Sequence, residues 1–323
     1  MDAGSDPMYA PAIAGHPAHG PAPRRPRPAD DLLPAATAMD AVTLHVRDLD
    51  GMTAYYRDVL ALEVLDRPAP AGGAVPAASG AVVTLGRAGA PIVVLQHTPD
   101  LPTPARGSAG LFHTAILFAD EPSLAATVAS VARHAPGTYV GSADHLVSQA
   151  FYFTDPEGNG IELYRDRSRD RWQWDDGYVR MASLRLDPNA FLAEHLTEPA
   201  AQDPGAAPCV VGHVHLQVGD LAAARHFYVD ALGFEVTAQM PGALFVSAGG
   251  YHHHVAVNTW NSAGAGPRAS SLGLGEVAVR VPSADDVGAL RQRLAHHGIA
   301  VLDDGAAVRF EDPWRNLVRV SAR

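Results

Sequence analysis

A chain of 323 residues is too long for one small module, and at about 150 residues per domain it suggests two compact units. Its 47% hydrophobic and 18% charged residues are those of an ordinary globular protein, and no apolar run approaches the ~20 residues of a membrane helix, so no membrane partner is expected. A formal charge of -11 would repel a phosphate backbone, which argues against nucleic acid, while a lone Cys209 excludes intrachain disulfides and thiolate clusters and fits a reducing, cytoplasmic compartment.

Residues 1–36 are rich in Pro, Ala and Gly, with Arg24, Arg25 and Arg27 among the prolines, so they read as a disordered tail; they contain no apolar core of a secretory signal. Next comes an alternating strand, a helix start at Asp48-Leu49, an aromatic-rich helix through Tyr56, and a strand at Leu62-Glu63-Val64. Ala81 to Leu85 alternates as an antiparallel strand. A second unit opens at Gly110-Leu111, with a helix after Pro122, a strand over Gln149 to Phe153 and a closing strand after Asp155-Pro156. RDRSRDRWQWDDG at 165–177 is a charged connector with two Trp anchors, which either caps a cleft or only joins the halves. The Pro/Ala-rich stretch Glu198 to Pro208 marks the boundary. The expected division is therefore a domain at 37–168, a linker at 169–208 and a domain at 209–323, each domain holding two modules in succession.

At an offset of 172, Asp220-Leu221, Tyr228, Leu232 and Glu235-Val236 repeat Asp48-Leu49, Tyr56, Leu60 and Glu63-Val64. Gly273-Leu274, a helix after Ser283 and a strand after Asp312-Pro313 repeat the second unit. The pattern predicts an α+β fold of four modules paired into two half-open mixed sheets.

GHVHLQVGDL at 212–221, HFYVDALGFEV at 226–236 and DPEGNGIELY at 155–164 resemble the βαβββ modules of the vicinal oxygen chelate superfamily, over most of residues 39–323. GLFH at 110–113, DHLVSQAFYFTDPEGNGIELYRDR at 144–167, GHVHL at 212–216 and GGYHHHVAVNTW at 249–260 look like its four-module catechol 2,3-dioxygenase type. That resemblance implies Fe(II), with Mn(II) the alternative, held by His113, Glu162 and His213. The partners would be a small aromatic diol and O₂, and a homo-oligomer is compatible with it. Such chemistry needs one metal face fixed by protein and the opposite positions open, which two His and one carboxylate supply. A lone His on a strand is more often a hydrogen-bonded core residue, and Glu162 between Ile161 and Leu163 could be a solvent-facing carboxylate; the motifs reverse both readings.

By the same resemblance, Tyr152, ten residues before Glu162, would donate to a substrate oxygen. His253 would be the general acid/base, with His252 or His254 as substitutes, since successive strand residues point to opposite faces. His145 would take part near Tyr152. His215, two residues after His213, is either a core or a site residue, while Asn258 and Trp260 could line a ring pocket, and the segment Gly233 to Gly242 reads as a pocket loop. In the repeated modules Ala41, Glu276 and Arg319 stand opposite His213, His113 and Glu162, which predicts no metal there but an ion pair between Glu276 and Arg319. His45 and His97 are then structural. Three functions follow: an Fe(II)-dependent extradiol dioxygenase; a metalloenzyme of isomerase, epimerase or thiol-transferase type; or a metal-free protein that sequesters an aromatic drug.

Overall fold

A computed structural model describes residues 27–66 and 80–323. The first module runs β1 (Ala38–Val46), α1 (Leu49–Ala54), β2 (Glu63–Asp66), β3 (Val82–Arg87) and β4 (Ala90–His97), and the second β5 (Gly110–Phe118), α2 (Glu121–His134), β6 (Tyr139–Asp144), β7 (Ser148–Thr154) and β8 (Gly160–Asp166). A connector carries β9 (Trp174–Asp175), β10 (Tyr178–Val179), β11 (Leu184–Arg185), α3 (Pro188–His195) and α4 (Glu198–Gln202). The third module is β12 (Cys209–Gln217), α5 (Leu221–Arg225), β13 (Glu235–Met240), β14 (Ala243–Ser247) and β15 (Val255–Asn258). The fourth is β16 (Gly273–Val281), α6 (Ala284–His296), β17 (Leu302–Asp303), β18 (Ala307–Glu311) and β19 (Leu317–Ala322).

The repeated Asp-Leu pair starts each helix as its chemistry dictates, because the Asp48 carboxylate accepts from Gly51 N and that of Asp220 from Ala223 N. Both helices then widen into a π-helical turn, Tyr55–Val59 and His226–Ala231. From these turns the Tyr56 hydroxyl donates to Asp155 Oδ2 at 3.1 Å and the Tyr228 hydroxyl to Asp312 Oδ2 at 2.9 Å. Each aspartate also folds its own turn: Asp155 accepts from the backbone N–H groups of Glu157 and Asn159, and Asp312 from those of Trp314 and Asn316.

The strands form two mixed sheets, one in the order β17-β18-β19-β16-β1-β4-β3-β2 and one in the order β11-β6-β7-β8-β5-β12-β15-β14-β13. Modules one and four thus share one sheet and modules two and three the other. The division at 169–208 is not the division of the sheets, because β1 pairs with β16 and β5 with β12 across it. Apolar residues of both sheets meet in one core with α1, α2, α5 and α6, including Leu44, Met52, Phe118, Leu124, Phe234 and Leu294.

Of the expected tail, residues 1–26 lie outside the described residues, while 27–36 belong to the fold. Leu33 is buried and donates its N–H to Gly233 O, and the Arg27 guanidinium donates to the carbonyls of Val229 and Phe234, so this stretch is held by third-module backbone. The segment Gly233 to Gly242 is mostly β13 rather than a loop. Among the described residues, no helix is long and apolar enough to cross a membrane.

Candidate metal centre

The seam between β5 and β12 brings the motif residues together. Tyr152 stands opposite Glu162 in the β7–β8 register, Glu162 beside Ala115 in β8–β5, and Ala115 opposite His213 in β5–β12. One row therefore crosses four strands as Tyr152, Glu162, Ala115, His213, and the small Ala115 side chain leaves room in its middle. His113, two positions along β5 and on the same face, faces His215. Gly212 lets this row close up, because a Cβ there would lie 1.8 Å from the hydroxyl oxygen of Tyr164, whose ring packs against His213 at 4.8 Å between centroids.

The candidate ligand atoms of His113, Glu162 and His213 all lie within 4.8 Å of one another, and all three residues are buried. Nε2 of His113 and Nε2 of His213 approach the same carboxylate oxygen, Glu162 Oε2, at 2.9 and 3.1 Å. The His113 nitrogen is close but not aligned for a hydrogen bond and is otherwise without one. Burial alone would raise Glu162, but the facing His213 and His113 hold its carboxyl well below the usual range. Burial pushes His213 down to about 4, against the pull of Glu162. An ionised carboxylate and a neutral imidazole converging on one point are what a divalent metal requires of its ligands, so these residues fit such an ion.

The centre opens into a cavity of about 1020 Å³ whose lining includes Phe112, Tyr152, His215, Phe245, His253 and Trp260. Tyr152 meets His145, whose Nε2 lies 2.7 Å from the phenol oxygen while its Nδ1 lies 2.8 Å from Ala182 O. A carbonyl only accepts, so Nδ1 carries the hydrogen, and in neutral imidazole Nε2 takes the hydroxyl hydrogen of Tyr152.

His252, His253 and His254 precede β15 in a bend rather than in a strand, so strict alternation does not govern them. His253 faces the cavity with its ring 4.0 Å from that of His213, between centroids, and burial with the neighbouring imidazoles pushes it well down. His254 turns away to Ser247 and Ala248 N. His215 lines the cavity and is bonded to Asn258 at 2.9 Å; Asn258 supports it rather than lining the pocket.

The connector contributes to the lining of the cavity. β11 adds to the sheet beside β6, and Val179, Arg180, Met181 and Leu184 line the cavity, which sequence reasoning left open because pairing of two-residue strands has no pattern of its own. Trp172 is buried and anchors the connector through its N–H to Arg167 O, whereas Trp174 is exposed.

Between modules one and four the expected pairing of Glu276 with Arg319 is not made. Glu276 bonds to Arg309 Nε at 2.9 Å, and Arg309 also reaches Asp304. Arg309 stands opposite Arg319, as Tyr152 stands opposite Glu162, so the partner came from the neighbouring strand. His45 is half-buried beside Ser271, and His97 bonds to Arg47 O.

The family model of the Glyoxalase/Bleomycin resistance protein/Dioxygenase superfamily matches residues 38–163 and 210–320. A catechol-2,3-dioxygenase of Bacillus subtilis (strain 168) is 35% identical over 278 residues, 84% of this chain and 92% of that protein. Among solved structures, a Bacillus subtilis protein provisionally assigned as a dioxygenase superposes with a TM-score of 0.59 at 13% identity, covering 88% of this chain and 84% of its own. Glyoxalase I from Zea mays superposes with a TM-score of 0.54 at 17% identity, covering 89% and 92%. At these identities the two structures establish the fold alone.

Proposed function

Because the chain belongs to the Glyoxalase/Bleomycin resistance protein/Dioxygenase superfamily, we propose that it is an Fe(II)-dependent extradiol dioxygenase that opens a catechol-like aromatic diol with O₂. The observation that carries this reading is the convergence of His113, Glu162 and His213 at the floor of a cavity that also holds Tyr152 and His253. The 35% identity to a catechol-2,3-dioxygenase supports it.

His113, Glu162 and His213 would hold the metal. When bound, Fe(II) would supply Lewis acidity towards a diol and the redox chemistry that dioxygen requires. Phe112, Phe245 and Trp260 give the ring apolar walls and exclude water from it. His253, kept neutral by burial, accepts a proton from one diol hydroxyl and can return it later. Tyr152, held by His145, makes a hydrogen bond with the substrate and orients the ring.

The test is metal content of anaerobically purified protein, followed by oxygen uptake and the yellow ring-cleavage product on adding catechol. Near-stoichiometric iron with O₂ consumption is expected, as is loss of both in His213→Ala. Bound Mn, Ni or Zn without oxygen uptake would favour the isomerase or transferase reading, and no metal the sequestering one.

A further inference from the structure

Behind His253 runs a chain of polar side chains that metal binding does not require. His252 is 0% exposed, its Nε2 lies 2.9 Å from Asp166 Oδ1, and its Nδ1 lies 2.7 Å from Nδ1 of His253. Asp166, at the end of β8, lies near Tyr251, whose hydroxyl is 2.7 Å from that of Tyr164. The Trp172 ring closes over His252 with centroids 5.2 Å apart. Every member is thus held in place by a neighbour other than the substrate.

A carboxylate only accepts, so the hydrogen between His252 and Asp166 sits on His252 Nε2. With His252 neutral, its Nδ1 is a lone pair, and the hydrogen between the two imidazoles belongs to His253 Nδ1. His253 Nε2 is then left without a hydrogen. We propose that Asp166 and His252 are positioning residues that fix the tautomer of His253, so that its Nε2 meets a substrate hydroxyl as an acceptor. The role rests on the dioxygenase reading, since the opposite tautomer would aim an N–H at the proton to be removed. The opposite arrangement has hydrogens on both nitrogens of His252 and a lone pair on His253 Nδ1.

Two-bond ¹⁵N–¹H correlation spectra of the full chain, stripped of metal, read these hydrogens directly, with assignments from His252→Asn and His253→Gln. The expected pattern is a protonated Nδ1 and bare Nε2 on His253, and the reverse on His252. Hydrogens on both nitrogens of His252, or an Nε2–H on His253, would overturn the proposal. In the Fe(II)-loaded protein, Asp166→Ala should lower kcat about 10- to 100-fold with KM for catechol unchanged. His252→Asn, whose amide oxygen can still accept from His253 Nδ1, should retain more kcat than His252→Leu. An unchanged kcat in Asp166→Ala, or a change confined to KM, would also overturn it. If the wild-type protein cleaves no diol, the dioxygenase reading fails, and the spectra still decide the tautomer.

Discussion

Ala115 shows how much a residue without reactive chemistry can decide. It stands between Glu162 and His213 in the row across the sheet, fully buried, and its single methyl leaves the space into which the two imidazoles and the carboxylate aim. Ala115→Leu would place three more carbons there while leaving every candidate ligand intact. The expected outcome is loss of bound metal measured by elemental analysis, with the folded circular-dichroism spectrum retained; a variant that keeps stoichiometric metal would show that the centre does not lie over this row. Overpacking of this kind costs typically ~1–3 kcal/mol, a tolerable destabilisation for a domain of ordinary stability. The ligand candidates were legible in the sequence through their motifs, whereas Ala115 was not, since its importance comes only from its neighbours on β8 and β12.

The repeated element is a helix locked to a turn in the next module. Tyr56 reaches the Asp155 turn and Tyr228 the Asp312 turn, and in each case the helix flanks one sheet while the turn belongs to the other. Tyr56→Phe and Tyr228→Phe should each lower unfolding free energy by about 1–3 kcal/mol, because each leaves a buried carboxyl short of a donor. The two locks share no residue, so their effects should add in the double variant, measured by urea denaturation. Burial pushes Asp155 up to about 6, against the donors from Asn159, Tyr56 and Glu157. Between about pH 4 and 6 the folded chain therefore keeps a proton that the unfolded chain has released, so this group's stabilisation is complete below pH ~4 and lost as pH rises through 6. The loss amounts to about 3 kcal/mol. Melting temperatures across that window should fall more steeply with rising pH in the wild type than in Asp155→Asn; equal slopes would remove Asp155 as the cause. The offset of 172 revealed Tyr56 and Tyr228 as equivalent, but only the fold shows what they hold.

At the scale of the whole molecule, each sheet takes one module from either side of residues 169–208, so the two halves of the chain complete each other. Separated fragments 27–168 and 209–323 would expose the unpaired edges of β1, β5, β12 and β16 together with the apolar core between the sheets. Neither fragment should fold alone, while co-expression should recover a metal-binding complex; independent cooperative melting of either fragment would refute this. Composition, the internal repeat and the motifs determined the α+β class and the four modules and singled out His113, Glu162 and His213 as candidate ligands, because helix caps, strand alternation and residue type are properties of short stretches. Which modules share a sheet, how residues 27–36 pack, the turn of Glu276 to Arg309 instead of Arg319, and the alignment of Asp166, His252 and His253 were decided only in the tertiary structure. Those depend on strand register and on contacts between residues distant in the chain, where a one-residue shift or a neighbouring strand supplies a different partner.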